Sequence, residues 1–341
     1  MKKHKSIVLI FSIPISTLFL SCDDSGVMHG LGIKGTINLQ QYNFKHLDEA
    51  VDGYYELWIR LDSSGIGTYY SCGKFNISFD GSITDLAGGQ MTFKFTGDTN
   101  NLFRAAVALI TVEQPGSNNN FPGPAHLIST QLASNQDSIY GTLTLSGADA
   151  LGSAGGKLMY VQYGSPNHGA FELMTPTGTQ FTCARGVWFG DQNESFLPDG
   201  ISLPGNLGWV YEGWVADITN PSAPIYYSTG RFLDPKHADF DSAGPCRGTN
   251  PSYDKPGQDW VDDNCSILGK PKITNLRSEH YQVLITLEPK YELPGSISYE
   301  SPFFVVLFMT PINPLYDNCY VKDMLINRVG SCPKARININ N

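Results

Sequence analysis

"WVYEGWVADITNPSAPIYYSTGRF", residues 209–232, restates a phrase that stands 156 positions earlier as "YYELWIRLDSSGIGTYYSCGKF", residues 54–75. In both copies Tyr-Glu-x-Trp is followed, across a loop, by Gly-basic-Phe: Tyr55, Glu56 and Trp58 with Gly73, Lys74 and Phe75, then Tyr211, Glu212 and Trp214 with Gly230, Arg231 and Phe232. Tyr54, Glu56, Trp58 and Arg60 alternate with Tyr55, Leu57 and Ile59, and Val210, Glu212 and Trp214 alternate with Tyr211, Gly213 and Val215. A two-residue period with large side chains on both sides predicts strands covered on both faces. Downstream, "ALITVEQP" at 108–115 is answered by "VLITLEP" at 283–289, which aligns Ile110, Thr111 and Glu113 with Ile285, Thr286 and Glu288. Two separated blocks in the same order indicate a duplicated unit.

The copies differ in length between these blocks. Gly73 to Ile110 is 37 positions and Gly230 to Ile285 is 55, so the second copy carries an insertion of 18. It includes "DSAGPCRGTNPSYDKPGQDWVDDNC", a turn-rich stretch that Cys246 and Cys265 would staple. Charged residues are sparse at 16%, while Gly and Pro are plentiful, a composition of strands joined by turns. The expected fold is all-β: two tandem antiparallel β-sandwich domains of immunoglobulin-like type, residues 31–195 and 196–341. Single helical turns are expected in "LDEAVDGYYELW" and near the end in "YVKDMLINRV".

The chain opens with Lys2, Lys3 and Lys5, continues through an apolar run from Ile7 to Leu20 and reaches "FLSC" at Phe19 to Cys22. A basic start, a short apolar run and a small residue before the cut predict an export signal, residues 1–21. The arrangement resembles the lipobox of bacterial lipoproteins, with Phe19 where Leu is usual. The resemblance implies that Cys22 receives lipid and begins the mature chain, with 22–30 as an acylated linker into the bilayer. Asp23 and Asp24 follow, residues that in lipoproteins bear on sorting between membranes. Three of the 23 basic side chains and none of the 32 acidic ones precede residue 23, so the mature chain is formally −12. Such a surface repels nucleic acid, which is not expected as a partner.

Six further cysteines in an oxidising compartment favour disulfides. Short loops select Cys246–Cys265 and Cys319–Cys332, and elimination leaves Cys72 with Cys183. The cysteines show no CxxC spacing and the seven His are scattered, so no thiolate metal site is expected. Hard oxygen ligands do gather at Asp234, Asp239 and Asp241 and at Asp259, Asp262 and Asp263; they are weak calcium candidates without EF-hand spacing, and no other cofactor is indicated.

Taken together, "YELW" or "YEGW", "STGRF", and "ITVEQPGSNNNFPGP" or "ITLEPKYELP" resemble the extracytoplasmic domain of anti-sigma-K-type factors. That family's β-sandwich carries a Tyr-Glu-x-Trp strand, a Gly-x-Phe strand and a Thr-x-Glu-Pro strand. The resemblance covers most of residues 30–310, one copy in each half, and implies a sandwich fold outside the cytoplasm. An anti-sigma factor also uses a sigma-binding helical segment and a spanning helix; no stretch here suits either, so sigma-factor control is not part of what is carried over.

The recurring carboxylates Glu56, Glu113, Glu212 and Glu288 are the first chemical candidates, because paired carboxylates can serve as acid and base. Their recurrence in register favours structure instead. A half-buried carboxylate beside Trp needs a partner, and the expected contacts are Glu56 with Lys74 and Glu212 with Arg231. Trp188, Trp209, Trp214, Tyr226 and Tyr227 would either fill a core or form a recognition patch. No GxSxG, HExxH or phosphate-binding loop occurs. The expected function is therefore that of a membrane-anchored envelope lipoprotein, at the outer membrane or cell surface rather than the inner membrane. It would bind a protein or glycan without catalysing a reaction; a periplasmic sensor and a hydrolase with a folding-assembled site are the alternatives.

Overall fold

The structure of the protein, a computed structural model, describes residues 35–62, 67–135, 138–145, 169–173, 184–189, 208–233, 237–240, 256–259, 269–290, 301–315, 322–324 and 332–340. The expected signal peptide and linker, and the expected boundary near residue 195, lie outside these. The first repeat contributes β1 (Thr36–Tyr42), β2 (Tyr54–Arg60), β3 (Tyr69–Ile77), β4 (Ile83–Thr84), β5 (Val107–Glu113), β6 (His126–Gln131), β7 (Ala133–Ser134) and β8 (Ser138–Leu143). Then come β9 (Gly169–Leu173), β10 (Gly186–Phe189), β11 (Trp209–Asp217), β12 (Ile225–Phe232), β13 (Gly257–Asp259), β14 (Tyr281–Pro289), β15 (Val306–Pro311), β16 (Lys322–Met324) and β17 (Lys334–Asn340). All the pairings between them are antiparallel. Among the described residues the helical content is one 3-10 turn, Thr99–Arg104.

The duplicated phrase forms the same sheet twice. The order β4-β3-β2-β5-β6 in the first repeat corresponds to β12-β11-β14-β15 in the second. β2 and β5 are buried along their whole length, as two-faced alternation requires. The glycine of each Gly-basic-Phe phrase has a conformational reason. The β2–β3 register shifts between Leu57 and Trp58 opposite Gly73, and the β11–β12 register shifts between Gly213 and Trp214 opposite Gly230. These are bulges in which the glycine takes a positive φ, 137° at Gly73 and 103° at Gly230, where a Cβ would be strained. The extra residue at each bulge is Cys72 or Thr229, and both are buried.

The other two sheets run β1-β17-β8-β7 and β13-β10-β9-β16. They also correspond: β1 matches β10, since each precedes a Tyr-Glu-x-Trp strand, and β8 matches β16, since each follows the repeat's last long strand. In the second sheet the strand between them is β9, which comes just before β10 in the chain. In the first sheet that place is taken by β17, the last strand of all, paired to β1 on one side and to β8 on the other. The expected second domain, 196–341, is corrected on this point, because its final strand completes the first repeat's sheet. Lys322–Met324, expected as a helical turn, is strand β16; it pairs with β9, and the local helical pattern yields to that sheet edge. In "LDEAVDGYYELW" the Val51 and Asp52 N–H groups donate to the Asp48 carbonyl, a hydrogen-bonded turn that does not extend into a helix.

One continuous apolar core joins both repeats. It includes Leu57, Ile59, Ile110 and Ile337 of the first repeat's sheets and Tyr211, Val215, Ile285 and Phe189 of the second's. Trp209 Nε1 donates to the His126 carbonyl at 3.0 Å, and the Tyr55 ring meets Phe304 edge-on. Gly208, at φ 66°, passes so close to Pro124 that a Cβ would sit 2.4 Å from its carbonyl carbon. Residues Ile33–Asn341 accordingly form one compact unit.

Candidate functional site

The recurring carboxylates are held by a polar network that the duplication reproduces atom for atom. In the first repeat Trp58 Nε1 donates to Thr111 Oγ1 at 3.0 Å, and Thr111 Oγ1 donates to Glu113 Oε1 at 2.5 Å. In the second, Trp214 Nε1 donates to Thr286 Oγ1 at 2.9 Å and Thr286 Oγ1 to Glu288 Oε1 at 2.5 Å. A backbone N–H completes each carboxylate, from Gly123 or from Phe303, both at 2.9 Å. Ser71 Oγ donates to Glu56 Oε1, and Ser228 Oγ to Glu212 Oε1, each at 2.6 Å. The spacing follows from pairing: Glu56 lies opposite Thr111 and Tyr54 opposite Glu113, so the two carboxylates and the Trp–Thr pair share one face. Burial without such partners would cost several kcal/mol per group, roughly.

The two expected ion pairs come out differently. Arg231 Nε donates to Glu212 Oε2 at 2.9 Å, with the Glu212 side chain fully buried. Lys74 is the cross-strand neighbour of Glu56 but does not pair with it. Its Nζ donates to the Ser117 carbonyl at 3.0 Å and to Asn118 Oδ1 at 3.2 Å, and stands 5.0 Å from the centre of the Tyr54 ring. The second repeat has Val210 where the first has Tyr54, so it lacks the ring that draws the cation away.

Glu56, Glu113, Glu212 and Glu288 are between 0% and 6% exposed, which closes them to any substrate-sized group. Their effect is on stability and its pH dependence. Burial first, then the neighbouring Glu212 carboxylate, push Glu288 up to about 8, against the pull of Arg231, Thr286 and the Phe303 N–H. Burial likewise raises Glu56. In the unfolded chain a glutamate releases its proton near 4.5. The stability that Glu288 contributes is therefore complete below that pH and is lost as pH rises to about 8. The melting temperature is expected to fall between pH 5 and pH 8.5, and Glu288→Gln is expected to flatten that fall; thermal scans across the range check both.

The other sequence candidates resolve as follows. Cys72 carries a free thiol, buried at the bulge with its Sγ 3.8 Å from the Tyr70 carbonyl. The expected Cys72–Cys183 bridge is thus corrected: a bulge side chain turned into the core sits where a small apolar group is wanted, and burial pushes its thiol pKa well up. Cys22, Cys183, Cys246, Cys265 and Cys319 lie outside the described residues, as do Asp234, Asp241, Asp262 and Asp263; of the expected Cys319–Cys332 bridge only the half-buried Cys332 is described. Asp239 is half-buried, and among the described residues no three His, Cys, Asp or Glu side chains converge as metal ligands. Trp188, Trp209, Trp214 and Tyr227 are buried and fill the interior, and the half-buried Tyr226 packs edge-on against Trp214.

An open feature lies elsewhere, on the solvent face of β1, β17 and β8. A groove of 470 Å³ crosses it between Asn38 and Gln40 of β1, Arg336 and Asn338 of β17, and Tyr140 and Thr142 of β8. The register stacks them in rows, Asn38–Asn338–Tyr140 and Gln40–Arg336–Thr142. Alternate residues Ile37, Ala335, Ile337, Ile339, Ile139 and Leu143 face the core. Sequence reasoning missed this surface, although its signal is present as polar-apolar alternation in "TINLQQY" and "KARININ". No helix among the described residues is long and apolar enough to cross a membrane. Comparison with models of known protein families, with curated proteins and with solved structures finds no match to this chain.

Proposed function

We propose that this chain is a membrane-anchored lipoprotein of the bacterial cell envelope, tethered through Cys22, that works as a binding module rather than by turnover. Its four sheets are read as two immunoglobulin-like sandwiches, one for each copy of the repeated phrase, with β17 closing the first. The observation that carries the binding role is the groove across β1, β17 and β8: polar side chains stand outward on a rigid sheet while the recurring carboxylates are sealed inside. Binding groups set on regular strands hold their geometry without a cost of ordering.

Metabolic labelling with a radioactive fatty acid, followed by protease treatment of intact cells, tests the reading. Label is expected in the mature protein and absent from Cys22→Ala, and external protease is expected to degrade the labelled chain. A bare thiol at the mature terminus by mass spectrometry would remove the tether, and full protection in intact cells would move the protein away from the surface.

A further inference from the structure

Resting on the binding-module reading, we propose that the β1–β17–β8 groove recognises an acidic glycan, a short saccharide bearing carboxylates. The first ground is charge. The chain carries 32 acidic against 23 basic side chains, yet the outward positions of these three strands hold Lys334 and Arg336 and no Asp or Glu. The cations are close together, since Lys334 faces Tyr42 across the pair and the Arg336 guanidinium stands 5.8 Å from the Tyr42 ring centre. A planar guanidinium held over a ring presents its fork of N–H donors to a carboxylate.

The second ground is the chemistry between and beside the cations. Asn38, Asn338 and Gln40 each offer a donor and an acceptor on one flat group, which matches neighbouring hydroxyls that must both donate and accept. Tyr140 lines the groove and is 46% exposed, so its ring borders the amides and can cover the C–H side of a sugar ring, while Tyr42 serves as the ring beneath the Arg336 guanidinium. A volume of 470 Å³ falls within the range of small-ligand sites, roughly 300–1,000 Å³.

The third ground removes the commonest peptide mode from the middle of the groove. An extended peptide joins a sheet at an edge whose backbone is unpaired, but β17 is paired along both sides. Recognition across the middle of this face, over β17, comes from side chains, and these are suited to hydroxyls and one or two carboxylates.

The experiment titrates the mature chain with a galacturonic acid trimer, a galactose trimer and a polyglutamate peptide of matched charge, following backbone amide signals of β1, β8 and β17 by NMR. The uronic acid trimer is expected to bind at least about tenfold more tightly than the neutral one, with the difference shrinking in high salt. Arg336→Gln is expected to reduce it to the neutral level, and Tyr140→Ala to weaken both saccharides. Both side chains are exposed, so unchanged melting of the variants shows that the fold is kept. Equal binding of polyglutamate, or uronate binding indifferent to Arg336→Gln, overturns the acidic glycan while leaving a binding face. Preference for the neutral trimer does the same. If none of the three probes shifts the signals of this face, the binding-module reading falls with it.

Discussion

Removal of residues 332–341 is expected to abolish cooperative unfolding of the chain, or to lower its melting temperature by more than about 20 °C. β17 is interior to its sheet, so its loss leaves two strands, β1 and β8, with unpaired backbone on facing edges. It also uncovers the core positions of Ala335, Ile337 and Ile339, all under 3% exposed. Ile337→Ala alone is expected to cost about 2–5 kcal/mol, the range for truncating a buried aliphatic side chain. Bringing β17 beside β8 closes a loop of nearly 200 residues, at an entropic cost of about 4–5 kcal/mol. That cost is met once, and it ties the first repeat to the end of the second, so the two are expected to melt in one transition. A synthetic peptide of residues 332–341, added to the truncated chain, is expected to raise its melting temperature in a concentration-dependent way. Calorimetry of the truncated chain, alone and with peptide, checks this; a truncated chain that melts within a few degrees of the intact one would show that the closure contributes little.

The same strand marks where the sequence stops being readable. The Tyr-Glu-x-Trp, Gly-basic-Phe and Thr-x-Glu phrases are legible because each records a local constraint twice: two buried faces, a bulge needing a positive φ, a Trp indole needing an acceptor. β17 satisfies only alternation, and alternation says which side chains face inward without saying which strands stand alongside. "KARININ" and "GAFEL" fill equivalent places with no shared residue pattern, so the exchange of chain end for preceding strand left no written trace. The groove was hidden for the same reason, since its rows draw on residues about 300 positions apart. Cys72 misled differently: parity among the cysteines is a rule about the set, whereas the bulge that turns Cys72 inward is a fact about one position. The Glu56–Lys74 contact failed through a neighbour, Tyr54, whose ring competes for the cation at the very strand that made the pairing plausible.

That difference between the repeats sets up the second large effect. Arg231→Ala is expected to destabilise the protein by about 3–5 kcal/mol at pH 8.5, because it leaves the fully buried Glu212 without its cation beside Glu288. Lys74→Ala, its counterpart by sequence, is expected to cost about 1 kcal/mol or less, since Lys74 binds a loop carbonyl and the Tyr54 ring and its charge is the smallest of the influences on Glu56. The two deficits should also respond differently to acid. The removal of Arg231 withdraws an influence that lowers the Glu288 pKa, so the variant's buried pair holds a proton to higher pH than the parent's. By linkage, a carboxyl whose folded pKa is raised gains stability as pH falls toward the unfolded value, and the Arg231→Ala deficit should shrink on going from pH 8.5 to pH 5. The Lys74→Ala deficit should stay nearly level. Denaturant unfolding of both variants and the parent at the two pH values separates these cases. Equal costs for Arg231 and Lys74, or an Arg231 deficit that grows in acid, would mean that the buried pair is neutralised by something other than that guanidinium.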